Sequence, residues 1–158
     1  MAKSFLNNND YPRGIRNNNP GNIILTNENW QGKVPNSQNT DGKFEQFTEL
    51  RYGIRAMIRN IISKVNKGNN TVTGLISVLS PAFENDTAGY VATVAKTLGI
   101  SPTIAIELSQ ETLIALCKII VTVENGQQYS KLITDSDYRD AIAILGVPLK
   151  KKAVAKGY

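Results

Sequence analysis

Apolar positions along the chain follow two different periods. Residues 1–47 are rich in Asn, Gly and Pro, and their apolar stretches are short: NIILT at 22–26 and FEQF at 44–47. Turn-forming residues fill 27–43, including Asp41-Gly42, so the pattern predicts a small polar lobe built on a β-hairpin. As a strand, FEQF would turn Glu45 and Phe47 to one face and Phe44 and Gln46 to the other. After residue 47 the period changes. Ile54, Met57, Ile58, Ile61, Ile62 and Val65 recur at helical spacing, with Thr48 as the expected cap and Lys67-Gly68 as the end. A shorter helix is predicted over 71–80, with Val72, Leu75, Ile76 and Leu79 on one face and Pro81 as its stop. Asp86 or Thr87 opens the next, whose core face is Tyr90, Val91, Val94, Ala95 and Leu98 and whose natural end is Gly99. Ser109 reads as the cap of a helix running into Glu124, with Leu108 and Leu113 as a hydrophobic staple. The β-branched KIIVTV competes as a strand, but the apolar run over 113–123 is long for one. A last helix at 134–146 starts with Thr134 and Asp137 as a capping pair. The expected fold is one α+β, mainly helical domain over 1–158. It divides into a β-hairpin and loop lobe at 1–47, a helical lobe at 48–146 and a basic tail at 147–158.

Composition narrows the chemistry. With 158 residues, 41% of them hydrophobic, the chain is long enough to build its own core. No run approaches the ~18 apolar residues of a membrane helix. MAKSFLNNNDYPRG lacks a signal-peptide pattern, so synthesis in the cytoplasm is expected. Cys117 is the one cysteine and reads as plain core. Histidine is absent, which removes Ser–His and Cys–His nucleophile pairs and most zinc sites. Acid–base chemistry must then fall on the 13 carboxylates, on Tyr or on Lys. Neither a metal nor a cofactor is expected. The net charge of +5 favours an anionic partner. The basic residues are scattered without a base-stacking aromatic pattern, so nucleic acid is not the expected one.

One carboxylate is oddly placed. LIALCKIIVTV leads straight into Glu124, then Asn125-Gly126, a helix stop signal. In the last turn of a helix a negative charge meets the carbonyl ends and is unfavourable. Apolar surroundings and a helix C-terminus both favour the protonated form of a carboxyl, which is what a general acid needs. The competing reading is a solvated residue in a frayed last turn.

A helix ending in Glu-Asn-Gly resembles the catalytic-Glu motif of the lysozyme superfamily, lytic transglycosylases included. RGIRNNNPGNI at 13–23, WQGKV, TDGKFEQF and YGIRAM resemble, in that order, a family of phage-encoded cell-wall-degrading proteins, some of them carried in the virion. The order of NPGNI, W-x-G, F-x-x-F and GIRAM is also similar to the β lobe of flagellar-type glucosaminidases. In ordinary lysozyme-like enzymes the Glu helix precedes the hairpin; here it follows, as a circular permutation would place it. Tyr90-Val91-x-x-Val94 resembles the transglycosylase helix whose Tyr faces the catalytic Glu. The resemblance implies a permuted lysozyme-like fold. It also implies cleavage of peptidoglycan between N-acetylmuramic acid and N-acetylglucosamine, by a lytic transglycosylase or a muramidase. Action would be in the periplasm or cell wall, by a monomer or a virion component. The alternatives are a glucosaminidase on the other linkage and a non-catalytic virion or wall-binding protein.

Within that frame Glu124 would be the general acid and base. A hydrolase would need a second group, and the expected β lobe offers Asp41 or Glu45. Against these stand a turn role for Asp41 and an exposed strand position for Glu45. Asn amides suit sugar hydroxyls and acetamido groups, which makes Asn19, Asn22, Asn85 and Asn125 candidate binding residues. Turn chemistry is the rival for Asn19 and Asn125. Gln46 and Tyr129 join the binding candidates, and Trp30 does so as a sugar platform or as packing. Tyr90 is either a site hydroxyl or a core aromatic. Glu84 can bind sugar or cap, and capping is the simpler role for Asp86. Arg13 and Arg16 engage wall carboxylates or brace the Asn-rich loop. The KKK at 150–152 is a solvated tail or contacts the anionic envelope.

Overall fold

A computed structural model describes residues 2–79 and 86–149. Glu84, Asn85 and KKK at 150–152 lie outside the described residues. Seven α-helices are present among them: α1 (Arg13–Arg16), α2 (Leu50–Asn66), α3 (Val72–Leu79), α4 (Thr87–Leu98), α5 (Gln110–Asn125), α6 (Gln127–Ser130) and α7 (Asp135–Ala143). The 17-residue α2 is the central element; α3, α5 and α7 pack on it, and α4 lies against α3 and α5. Its apolar stripe is buried from Leu50 to Val65 and meets Leu75 and Ile76 of α3, Leu113, Leu116 and Cys117 of α5, and Tyr138 of α7 in one core. Cys117 is fully buried there, and burial pushes its thiol up. No helix among the described residues is long and apolar enough to cross a membrane.

The caps explain where the helices start. Ser109 Oγ accepts from the Thr112 N–H at the head of α5, and Leu108 and Leu113 beside it are both buried. Thr134 and Asp137 form a reciprocal capping box on α7. Asp86 caps α4 by accepting from Gly89, and Gly99 closes it in the left-handed region. KIIVTV is helical. At α2 the cap position is Glu49, whose side chain makes no capping bond, one residue past the expected Thr48.

The expected β-hairpin is the main correction. No strand is present among the described residues of the polar lobe; 22–26 and 44–47 meet at the isolated bridge Ile24–Phe44, and Lys33 meets Phe47 at another. A few backbone bonds, such as the Leu25 N–H to the Lys43 carbonyl and the Glu45 N–H to the Ile23 carbonyl, stand where a ladder would run, and side-chain amides supplement them. Asn18 accepts the Phe5 N–H and donates to the Phe47 carbonyl. Asn19 exchanges bonds with Ile23 and donates to the Glu45 carbonyl. Asn17 donates to Asp41 and accepts from Gln46. All three asparagines are buried; the bonds of Asn18 and Asn19 satisfy backbone groups that a sheet would otherwise pair, while Asn17 ties the side chains of Asp41 and Gln46 together.

This lobe seats on α2 at Gly53. A Cβ there would overlap the Asn18 carbonyl oxygen, so glycine alone permits the approach. We expect Gly53→Ala to cost about 3 kcal/mol through this backbone overlap. Thermal or urea unfolding of the two proteins measures it, and an unchanged midpoint would refute the close-approach account.

Candidate functional site

Glu124 sits in the last turn of α5, ahead of Gly126, whose φ of 93° ends the helix. Two asparagines from opposite sides of the chain define its surroundings. Asn125 Nδ2 donates to its own helix at Val121 and, across to the polar lobe, to the Pro20 carbonyl at 2.8 Å. Asn22 Nδ2 donates to Glu124 Oε1 at 2.9 Å. Asn22 holds a left-handed backbone, φ 50°, a conformation Asn tolerates better than other side chains bearing a Cβ. The Oδ1 atoms of both asparagines are buried with no hydrogen-bond partner among the described residues. Both face Gly14 of α1, where a Cβ would overlap Asn125 Oδ1.

Glu124 opens onto a cleft of about 520 Å³ between the polar lobe and the helices. Gly21, Asn22 and Glu124 meet there; Ile23, Ile24, Trp30 and Phe44 supply apolar surface from the polar lobe, and Asn60 and Lys64 of α2 and Leu79 of α3 face them. Ile24 is 53% exposed and Trp30 half-buried, so apolar surface is presented to a ligand rather than sealed. Glu28 and Lys43 add one charge of each sign. The volume, with two aromatic faces set among many polar and charged groups, suits a small-molecule ligand or a segment of a polar polymer. Among the described residues no group of three or more His, Cys, Asp and Glu is placed to hold a metal ion.

Of the residues expected here, Glu124, Asn22 and Trp30 line the cleft, and Asn125 positions it from behind. The others serve elsewhere. Asn19 and Gln46 are buried braces; Gln46 bonds Asn17 and both ends of Thr40. Glu45 is fully buried in an ion pair with Lys33 and also accepts from the Thr26 N–H. Tyr129 packs edge-on against Tyr11, which packs in turn on Phe5. Tyr90 packs against the helical core, half-buried. Glu28, Lys43, Asn60 and Lys64 were not anticipated. Asn60 and Lys64 stand four apart on the polar side of α2, and that spacing was a usable signal.

Asp41 is the most heavily engaged carboxylate. It takes both arms of Arg13, at 2.7 and 2.9 Å, plus the Asn17 amide and the backbone N–H groups of Lys43 and Phe44. The Arg13 guanidinium, aided by those amides, holds its carboxyl well below the usual carboxylate range despite burial. A lowered folded-state pKa stabilises the fold fully above the unfolded value of about 3.9, and the contribution fades as pH falls below it. Asp41→Asn should therefore cost about 2 kcal/mol at pH 7, and the gap to wild type should close on acidification below about pH 4. Denaturant melts across pH measure this; a gap that stays constant would refute it.

No protein-family model matches the chain. It is 34% identical over 122 residues to Protein P5 of Pseudoalteromonas phage PM2, a match covering 75% of this chain and 74% of that protein. At that identity and coverage, the chain belongs to the family of this phage protein.

Proposed function

We propose that the protein is a phage cell-wall enzyme of permuted lysozyme-like design. It would cut peptidoglycan between N-acetylmuramic acid and N-acetylglucosamine, with Glu124 as its acid and base. The observation that carries this reading is the Asn22–Glu124 hydrogen bond at the meeting point of two lobes, in a cleft with an aromatic wall. Membership in a phage protein family is consistent with it, as is the resemblance of RGIRNNNPGNI and ENG to wall-degrading proteins.

The chemistry follows from the carboxyl's placement. Asn22 holds Oε1 and so orients the carboxyl; as the acid, Glu124 would pass a proton to the glycosidic oxygen as the C1–O bond breaks. The oxocarbenium-like centre then needs a nucleophile. With Asp41 bound to Arg13 and Glu45 buried against Lys33, neither expected partner is disposed to activate water. That favours transglycosylase chemistry, in which the muramyl residue's own hydroxyl attacks C1. Its proton returns to Glu124, and an anhydro sugar leaves. Glu28 is the cleft carboxylate on which a hydrolase would draw.

Digestion of purified peptidoglycan, with mass spectrometry of the released fragments, is the test. Wild type should release anhydro-muropeptides, and Glu124→Gln should lower the rate by about a hundredfold or more. Reducing-end products would move the assignment to a muramidase or glucosaminidase and to Glu28. No release by folded wild type, or full activity in the variant, would refute the reading. Asn22→Gly keeps the left-handed backbone but removes the amide. It should lower turnover by about tenfold while leaving the fold intact by circular dichroism; wild-type turnover would show that the amide plays no part.

A further inference from the structure

A second concavity, of about 500 Å³, shares a wall with the cleft. Phe44 faces the cleft, and the Arg13 guanidinium lies 4.7 Å from the Phe44 ring centroid while lining the second space. Every residue around this space is polar or charged, which disfavours an apolar ligand. Its floor is already satisfied: the buried amides of Asn17 and Gln46 bond Asp41, Thr40 and each other, and Asp41 neutralises Arg13. Arg16 is different. Its Nη1 donates to the Tyr11 carbonyl, and no carboxylate pairs with it among the described residues. A half-buried arginine whose guanidinium has a neutral acceptor and remaining donors, beside a second arginine and the rim residues Asn7 and Asn9, is built to take a planar oxyanion.

We propose that this concavity receives a free carboxylate of the peptide side chains borne by the glycan strand in the cleft, with Arg16 as its ion-pairing residue. The inference rests on the peptidoglycan reading. A strand lying along the Phe44 wall brings its peptide branches to the rim, one guanidinium away. Arg13 is then the partition between the two spaces, fixed by Asp41 on one side and by Phe44 beneath it. Arg16 acts as a specificity residue that favours peptide-bearing glycan over bare glycan.

The test is amide NMR on the full chain titrated with the free stem tripeptide L-Ala-γ-D-Glu-diaminopimelate, and separately with the same peptide carrying amidated carboxylates. The free acid should shift amides in 7–17 and 40–46. Amidation, and independently Arg16→Ala, should weaken binding by roughly tenfold or more, with Arg16→Lys intermediate. Should Arg16→Ala not fold, the amidated peptide on wild type still decides the matter. Equal binding of both peptides, no binding, or shifts confined to the Glu124 cleft would overturn the site. Binding at the site by a protein that leaves peptidoglycan uncut would overturn the enzymatic reading alone and leave the carboxylate site standing.

Discussion

The arrangement depends on one constraint: a loop of buried asparagines must be held against two helices without a sheet to hold it. Unpaired backbone groups in a buried loop are costly, and among the described residues the polar lobe has two isolated bridges in place of a ladder. The side-chain amides of Asn18 and Asn19 meet part of the need, the Asn17 carbonyl accepts the Phe47 N–H, and the Asn17 amide fixes Asp41. The arrangement works only because α2 lets the loop come close at Gly53. The same loop carries Pro20 and Asn22, so its seat on α2 decides where Asn22 meets Glu124.

The loop's other contact is with α5, and it carries a stability cost. Asn125 clips the helix end to Pro20, and Asn22 reaches Glu124, yet the Oδ1 atoms of both lie buried against Gly14 without a partner among the described residues. An unsatisfied buried acceptor costs roughly 1–3 kcal/mol. Concentrating two of them, one on the left-handed Asn22, beside a carboxylate at a helix C-terminus gathers several locally unfavourable choices in one place. Such concentration is expected where geometry is set for binding or reaction rather than for stability.

What was legible in the sequence follows the range of the forces involved. Capping and helical periodicity are local, so Ser109, Thr134 with Asp137, Asp86 and the α2 stripe could be read directly. The place of Glu124 in the last turn of a helix was legible because Asn125-Gly126 is a local stop signal. The hairpin was misread because alternation in NIILT and FEQF matches a strand, while Asn18 and Asn19 bond the Phe47 and Glu45 carbonyls from 29 and 26 residues away, a pairing with no local trace in FEQF. Glu45 and Asp41 were ambiguous for the same reason. Their partners, Lys33 and Arg13, lie 12 and 28 residues away. The helix partner of the cleft, Asn60 with Lys64, is written at helical spacing, but only the apolar side of α2 draws notice in a core-centred reading.

The distribution of carboxylates bears on which reaction such a cleft can serve. A two-carboxylate glycosidase needs its second group unpaired and within a defined reach of the sugar. Asp41 takes the guanidinium of Arg13, and Glu45 has the Lys33 ammonium at 2.9 Å. Releasing either would leave a cation or a buried charge uncompensated, a penalty of several kcal/mol for the buried pair. The polar lobe therefore uses its central carboxylates as structure, to replace the sheet it lacks. Under the proposed reading, committing them in this way favours a reaction in which one carboxyl acts twice and the substrate supplies its own nucleophile, with Glu28 the cleft carboxylate left for a hydrolase.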